Sequence, residues 1–352
     1  MAKVVAGFGS GHTPLMSVPG EMWSNYAQRD PQNRELIRVP TGERVTYDEL
    51  LAGADPLIKK QINEETFVRK FQNIRHGLKV LDDRFKEIQP DVVVMFGDDQ
   101  GELMFDDNYP SISVYWGESM KMIPRTRNMP ANANEAMMIA MRSYGEEERD
   151  YPVDSELGLH IIESLMEKDF DVAGSRYLRE NYGGSIGPST WYLDSKYETK
   201  PRPFGMPHAF SFPVVNWFGG KEVPIVPITI NTCYPPTWIS PRRAYSLGRA
   251  VREAIDAWGS DKKVAFACSG GLSHFVVDEE IDRLALKGMS EANGEILSSL
   301  PRHRLQSATT EILNWVATAG AMGDTKMETI CYEPGYRTDA GTGCGCGCGI
   351  WV

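Results

Sequence analysis

A long amphipathic segment followed at once by an apolar run constrains this chain most. Between residues 64 and 89, large apolar side chains recur every three or four positions, which places them on one face of a helix. Pro90 ends this pattern, because proline cannot continue a helix. Residues 91–96 are then almost entirely apolar and β-branched, and they predict a central strand of a parallel sheet with a polar loop at 97–100.

The same succession of helix, strand and polar loop recurs along the chain. Further helices are predicted at 157–167 and 241–258, and further strands at 3–8, 170–172, 223–230 and 264–268. Alternating helices and strands predict an α/β fold with a mixed, largely parallel central sheet and helices on both faces.

The chain is predicted to form one domain over residues 1–352, because no long linker interrupts the pattern. The proline-containing segment at about 19–62 is expected as an insertion of loops and short helices. Residues 340–352 are expected as a Gly/Cys-rich C-terminal tail. Cys344, Cys346 and Cys348 lack the fourth ligand of a structural zinc site, which favours a glycine-rich tail that carries thiols over a metal site.

Charge and apolar content limit the partners. The 48 acidic residues exceed the 37 Lys and Arg residues and give a net charge of −11, which disfavours nucleic acid and anionic membranes as main partners. No apolar run approaches the roughly 18 residues of a membrane span, and the start has no signal-peptide pattern. A cytoplasmic location is therefore expected.

Two of the six histidines stand out. His12 and His274 each follow a glycine-rich loop at the end of an apolar strand, the edge of an α/β sheet at which ligands bind. For each alone, a turn histidine without a function is equally compatible with the pattern. His208, in a Gly/Pro-rich loop, is a weaker signal.

The other polar side chains are interpreted as structural or surface residues rather than as members of a functional site. His76 and His303 are predicted to lie on the surface, and His160 falls within a helical pattern that favours a hydrogen-bonded helix residue. The periodicity around Glu311 favours a solvent-facing carboxylate. Residues 269–271 do not form a Gly-x-Ser-x-Gly elbow and residues 7–12 lack dinucleotide spacing, which disfavours a serine hydrolase and a nucleotide site.

Taken in order, several motifs resemble the class III extradiol ring-cleavage dioxygenases, the family of the protocatechuate 4,5-dioxygenase catalytic subunit. The matching segments lie at 11–12, 90–94, 157–161, 207–210, 270–274 and 311–315. Segments 97–102 and 231–236 are most similar to the 3-O-methylgallate dioxygenase group. The resemblance implies opening of the ring of a catechol- or gallate-like diol, with a small aromatic substrate and O₂ as partners and a homodimer as a possible assembly.

The resemblance also implies a metal site. The family holds Fe(II) with two histidines and a glutamate, and Zn or Mn are less favoured here. By position, His12 matches the first histidine and Glu311 the carboxylate, which reverses the solvent-facing interpretation of Glu311. Gln100 stands where the family has its second histidine, so Gln100, Asp99, Glu102 and a water are all alternatives for that ligand position.

Catalytic roles follow from the same resemblance. His274 matches a histidine that exchanges protons beside the O₂ site, and His160 and His208 match two other active-site histidines. A substrate carboxylate would require a cationic or amide-rich anchor. The cationic candidates are Arg125, Arg127, Arg242 and Arg243, although for each one alone a surface ion pair is the favoured interpretation. Two other functions stay open because of Gln100: a metal-dependent hydrolase on the same scaffold, and a binding protein without catalysis.

Overall fold

The alternating helices and strands build one large sheet in the computed structural model, which describes residues 1–104, 108–178 and 205–352. The strands in these ranges are β1 (Lys3–Ser10), β2 (Ile37–Arg38), β3 (Glu43–Arg44), β4 (Val92–Gly97), β5 (Ile112–Tyr115), β6 (Ser119–Met122), β7 (Arg149–Pro152), β8 (Ala173–Ser175), β9 (Ile225–Ile230), β10 (Lys263–Ser269), β11 (His274–Val276), β12 (Met327–Tyr336) and β13 (Thr342–Trp351). The α-helices in these ranges are α1 (Trp23–Ala27), α2 (Tyr47–Ala52), α3 (Pro56–Lys59), α4 (Glu64–Ile88), α5 (Glu135–Arg142), α6 (Ser155–Met166), α7 (His208–Asn216), α8 (Pro241–Ala257), α9 (Glu279–Ser290), α10 (Gly294–Ser298) and α11 (Ile312–Met322).

The main sheet runs in the order β11-β13-β1-β10-β4-β9-β5-β8, with β12 paired to β13. Strands β1, β10, β4 and β9 are mutually parallel. Strands β13 and β5 run antiparallel to β1 and β9, respectively, at the two sides of this parallel centre. The expected mixed, largely parallel sheet is confirmed.

Both faces of the sheet are covered. On β4, Val92, Val94 and Phe96 pack into one apolar cluster with α8 and α11, whereas Val93 and Met95 pack into a second cluster with α4. Alternate residues of a strand point to opposite faces, so a strand buried on both sides must be apolar throughout. This explains the continuous apolar run that marks β4 in the sequence.

The predicted amphipathic helix is α4. Asn63 caps it by accepting a hydrogen bond from the backbone N–H of Thr66, and the left-handed Gln89 (φ 50°) ends it before Pro90. Its buried stripe includes Phe67, Leu78 and Phe85. The predicted helices at 157–167 and 241–258 correspond to α6 and α8. The strand expected at 170–172 lies slightly later, as β8.

The segment at 19–62 forms short helices and the β2–β3 hairpin, and it is tied to the end of the chain by a buried ion pair. Arg337 donates to both carboxylate oxygens of Asp30, at 2.6 and 3.0 Å. The Thr342 hydroxyl donates to the same carboxylate at 2.6 Å. The Ser307 hydroxyl also donates to the carbonyl of Glu35 at 2.6 Å. The segment therefore anchors residues that lead into β13 and toward Glu311.

The Gly/Cys-rich end of the chain is not a tail, and this corrects the expectation for 340–352. Strand β13 pairs with β12 along its length, with β11 over its first residues and with β1 over its last. Cys344, Cys346 and Cys348 are buried on the α4 side of the sheet. On the other side, a Cβ at Gly345 would lie 2.2 Å from Asp282 Oδ2, so only glycine fits that close approach.

Within the described residues, we find no helix that is both long and apolar enough to cross a membrane.

Candidate metal centre

Four parallel strands bring their carboxyl ends to one edge of the sheet. The loops that follow β1, β4, β9 and β10 carry His12, Asp98, Cys233 and Gly271 respectively. Ligands bind at this edge in open α/β sheets, because the loops there converge while the strands beneath stay rigid. His12, Asp98 and Cys233 are all buried, so the strand ends form an enclosed polar cluster.

His12 is held with one ring nitrogen directed into this cluster. Its Nδ1 lies 3.0 Å from Ser269 Oγ, and its Nε2 lies 3.3 Å from Glu311 Oε2. The hydroxyl of Tyr144 donates to the His12 carbonyl at 2.8 Å, which fixes the backbone as well. Burial lowers the pKa of His12 to about 3, so the ring is neutral near pH 7, the form that binds metals.

Glu311 is buried rather than solvent-facing. It ends a 3-10 turn, Ser307–Glu311, that runs directly into α11. Its Oε2 accepts the backbone N–H of Gly271 at 2.6 Å, and its Oε1 accepts the Gln100 side-chain N–H at 2.9 Å. The structure thus brings Glu311 to His12, the pairing that the family resemblance implies.

Asp98 is the additional carboxylate of this cluster. Its Oδ1 accepts a hydrogen bond from the Asn314 amide at 3.1 Å, and its Oδ2 lies 3.4 Å from the amide nitrogen of Gln100. Burial and the nearby charge of Glu311 raise the pKa of Asp98 well above its usual range. Two buried carboxylates that face each other favour a bound cation, because a cation lets both stay ionised.

Gln100 lies between these carboxylates and donates to both of them. In this arrangement its amide N–H group, rather than its oxygen, faces the two acidic side chains. Gln100 is therefore at the site, as expected, but it acts as a hydrogen-bond donor to the candidate ligands.

Asp99 and Glu102 do not point at the cluster as ligands would. Asp99 accepts the backbone N–H groups of Glu102, Leu103 and Met104, so its carboxylate shapes the turn after β4. Burial raises the pKa of Asp99 to about 7. Both residues were alternatives for the second ligand, and their contacts instead support the surrounding backbone and His208.

Glu102 holds His208 in place. The His208 Nδ1 lies 2.9 Å from the Glu102 carboxylate, which also pairs with Arg125 Nη1 at 2.5 Å. Burial lowers the pKa of His208, while Glu102 opposes that shift. With Nδ1 occupied, Nε2 is the nitrogen left for a ligand, and the His208 ring packs edge-on against His12 at 4.3 Å between centroids. Carboxylates commonly orient metal-binding histidines in this way.

His274 reaches the same carboxylate oxygen of Glu311 that His12 contacts. Its Nε2 lies 3.8 Å from Glu311 Oε2, and its Nδ1 lies 2.9 Å from the carbonyl of Leu272. Burial lowers the pKa of His274, although Glu311 opposes the shift. A neutral imidazole beside the cluster can accept a proton from a bound substrate.

The structure does not bring His160 to the cluster, where the family resemblance implies an active-site histidine. The His160 Nε2 lies 2.9 Å from the carbonyl of Ala254, and its ring stacks on Trp258. The Trp258 carbonyl accepts the backbone N–H of Ala2, which directly precedes β1. His160 therefore lies near the amino end of β1, whereas the cluster lies beyond the carboxyl ends of the parallel strands. The helix pattern, which predicts a hydrogen-bonded helix histidine, describes His160 correctly.

The candidate substrate arginines are engaged elsewhere. Arg125 is buried against Glu102, and Arg127 pairs with Glu148 on the surface. Arg243 lies over the Phe170 ring and, like Arg242, is exposed on α8. None of these contacts identifies a substrate anchor.

The donor groups fit a divalent metal. Among the described residues, ligand atoms of two sets each lie within 4.8 Å of one another: His12, Asp98 and His208 form one set, and Asp98, Cys233 and Glu311 form the other. Asp98 belongs to both sets, so they are two halves of one cluster. Neutral imidazoles with carboxylates suit Fe(II), Zn²⁺ and Mn²⁺.

Three residues at or near the cluster have only weak signals in the sequence. Asp98 directly follows β4, but the family pattern directs attention to Gln100, two residues later. Cys233 follows β9, a position that the strand-end rule would have flagged. Cys344 Sγ lies 3.2 Å from His274 Nε2. This contact can be predicted only when the pairing of β13 is known.

Two comparisons bear on identity. The family described as the catalytic LigB subunit of aromatic ring-opening dioxygenase matches residues 60–334. Gallate dioxygenase from Pseudomonas putida is 30% identical over 145 residues, which are 40% of this chain and 35% of that protein. The chain thus matches about a third of the length of this relative. The family match extends over most of the sheet and both His274 and Glu311, and the chain belongs to the family of catalytic LigB subunits of aromatic ring-opening dioxygenases.

Proposed function

We propose that this protein is an Fe(II)-dependent extradiol-type dioxygenase that opens the ring of a catechol- or gallate-like diol with O₂. The observation that carries the proposal is the buried convergence of two neutral imidazoles, His12 and His208, with two carboxylates, Asp98 and Glu311. Family membership supports an aromatic substrate and O₂, and the similarity to gallate dioxygenase supports a gallate-like substrate.

His12, Glu311 and Asp98 are the proposed metal ligands, with His208 as a further ligand or a neighbour. Asp98 is preferred to Gln100 because the Gln100 amide N–H group faces Glu311 and Asp98. A bound metal would supply a Lewis acid that holds the diol oxygens and an electronic path between the diol and O₂.

The protein's own groups position this chemistry. The Gly271 N–H and the Gln100 amide fix the two Glu311 oxygens, and Ser269 fixes the His12 ring. His274, beside Glu311, would take the proton that the diol releases when it binds, because its Nε2 faces the Glu311 carboxylate. Burial of all these groups limits access of water to the site.

Anaerobic metal binding and oxygen uptake test the proposal together. The protein is purified without oxygen, loaded with Fe(II), and mixed with gallate or protocatechuate in an oxygen electrode. We expect one metal per chain and O₂ consumption that matches loss of the aromatic absorbance. His12→Ala should lose both, whereas the exposed His303→Ala, as the matched control, should keep both. Metal binding that survives His12→Ala would refute the proposed ligand set.

The candidate ligand atoms also support one alternative function, a metal-dependent hydrolase. With two carboxylates, Asp98 and Glu311, the site is richer in oxygen donors than a site with two imidazoles and one carboxylate, which favours harder or redox-inert ions and metal-dependent hydrolysis. Oxygen uptake separates the two functions. A protein that binds Zn²⁺ or Mn²⁺ tightly but consumes no O₂ with any diol would favour the hydrolase.

A further inference from the structure

A buried thiol faces the candidate proton-transfer histidine. Cys344 on β13 lies directly opposite His274 on β11 in the antiparallel pairing. The Cys344 Sγ lies 3.2 Å from His274 Nε2, within hydrogen-bond distance for sulfur, and both side chains are buried. Nothing in the composition of the glycine-rich segment indicates this contact.

The neighbours of His274 decide which group donates. Its Nδ1 lies 2.9 Å from the carbonyl of Leu272, and a carbonyl only accepts, so Nδ1 carries the proton of the neutral ring. Nε2 therefore has a lone pair and accepts. Burial raises the pKa of the Cys344 thiol well above its usual range, so the thiol keeps its proton and is the donor.

The imidazole is fixed on its other sides as well. The hydroxyl of Thr309 accepts the His274 backbone N–H at 2.8 Å and donates to the His274 carbonyl at 2.6 Å. A Cβ at Gly271 would lie 1.8 Å from His274 Cε1, so the ring rests directly on that glycine. The ring is therefore confined on these sides. The group that contacts Nε2 then controls how the Nε2 lone pair is oriented toward the cluster.

We propose that Cys344 is a positioning residue that donates its S–H to Nε2 of His274 and holds the ring in its orientation toward the cluster. This inference rests on the proposed function. When the diol releases its O–H proton, that proton moves to Nε2, and the thiol retains its own proton. The S–H then turns to the carbonyl of Gly345, which lies 3.4 Å from Cys344 Sγ. No oxidant or reductant is needed.

Three variants test this role. Cys344→Ala removes the donor, Cys344→Ser replaces it with a hydroxyl, and Cys346→Ala removes a buried thiol two residues away on the same face of β13. Cys346→Ala is the matched control for lost packing. We expect kcat to fall about tenfold in Cys344→Ala, the loss typical of one hydrogen bond, with KM and metal content unchanged. Cys344→Ser should recover most of kcat, and Cys346→Ala should keep it.

An NMR measurement tests the contact between Cys344 and His274 without requiring catalytic activity. Protein labelled with ¹⁵N-histidine and loaded with diamagnetic Zn²⁺ gives an Nε2 resonance for His274, assigned by its loss in His274→Gln. We expect this resonance to shift in Cys344→Ala and to return toward its original position in Cys344→Ser. An unchanged Nε2 resonance in Cys344→Ala, or an equal loss of kcat in Cys346→Ala, would overturn the role.

The two proposals fail differently. If the wild-type protein binds metal but never consumes O₂, the proposed function fails, while the Nε2 resonance still reports on the Cys344 contact. If the wild type opens a diol ring and Cys344→Ala does so at the same kcat, only the role of Cys344 fails.

Discussion

Replacing Glu102 by glutamine should destabilise the protein by about 3 kcal/mol at pH 7. Burial alone would raise the pKa of Glu102, but the charges of Arg125 and His208 outweigh it and lower the pKa to about 2 from its ordinary 4.5. At about 1.4 kcal/mol for each pH unit of this difference, the ionised carboxylate stabilises the folded state by about 3 kcal/mol.

The direction of this pKa shift determines how the stability of the folded state depends on pH. Because the folded pKa lies below the unfolded one, this stabilisation is fully present above pH 4.5 and is lost as the pH falls toward 2. Glutamine keeps the shape but not the charge, and the guanidinium of Arg125 then stays buried against a neutral group. Breaking a buried ion pair costs on the order of 3–5 kcal/mol, which agrees with the estimate from the pKa.

Urea unfolding of the metal-free protein measures the effect. The free energy of unfolding of Glu102→Gln is compared with that of wild type at pH 7, and exposed Glu328→Gln serves as the control. The double variant Glu102→Gln with Arg125→Met should regain stability, because neither member of the pair then carries a buried charge. A loss in Glu102→Gln within about 0.5 kcal/mol of the control would refute the reasoning.

Three further outcomes are expected. Asp98→Asn should abolish stoichiometric metal binding by elemental analysis while the protein stays folded, and retained metal would exclude Asp98 as a ligand. His160→Gln should leave kcat within about twofold of wild type, since His160 contacts Ala254 and Trp258; a large loss of kcat would restore its catalytic role. The pKa of Lys70 falls to about 8 from 10.5, chiefly through burial, so the unfolded chain binds more protons between these values and stability should rise with pH there. Lys70→Met should remove that rise in urea titrations, and a rise that persists would assign it to other groups.

The parts of the fold with strong local patterns were predictable. Helix α4 and strand β4 follow from apolar spacing and from Pro90, and both occur where expected. His12 and Glu311 meet as the family resemblance implies, although periodicity alone misplaced Glu311. Short patterns cannot tell a buried functional carboxylate from a solvated one, because both interrupt an apolar helix face in the same way.

Strand β13 was not predictable from local preference. Glycine is depleted in strands, and alternating glycine and cysteine shows neither a polar face nor a β-branched run. The strand forms because β12, β11 and β1 all pair with it and because glycine permits close packing against Asp282 and Met327. Asp98 escapes notice for a different reason, because the family pattern directs attention to Gln100, two residues further along the loop after β4.

The repeating dipeptide in β13 makes its alignment ambiguous. Sliding the strand by two residues would bring Cys346 and Cys348 to the places of Cys344 and Cys346, with glycines again between them, and Cys346 would then face His274. The repeat itself cannot select the correct partner, so unique residues at its borders must do so. Thr342, bonded to Asp30 just before the repeat, and Trp351, buried just after it, are such markers. An acidic residue in the segment at 19–62 thereby helps to decide which thiol lies beside the His274 imidazole.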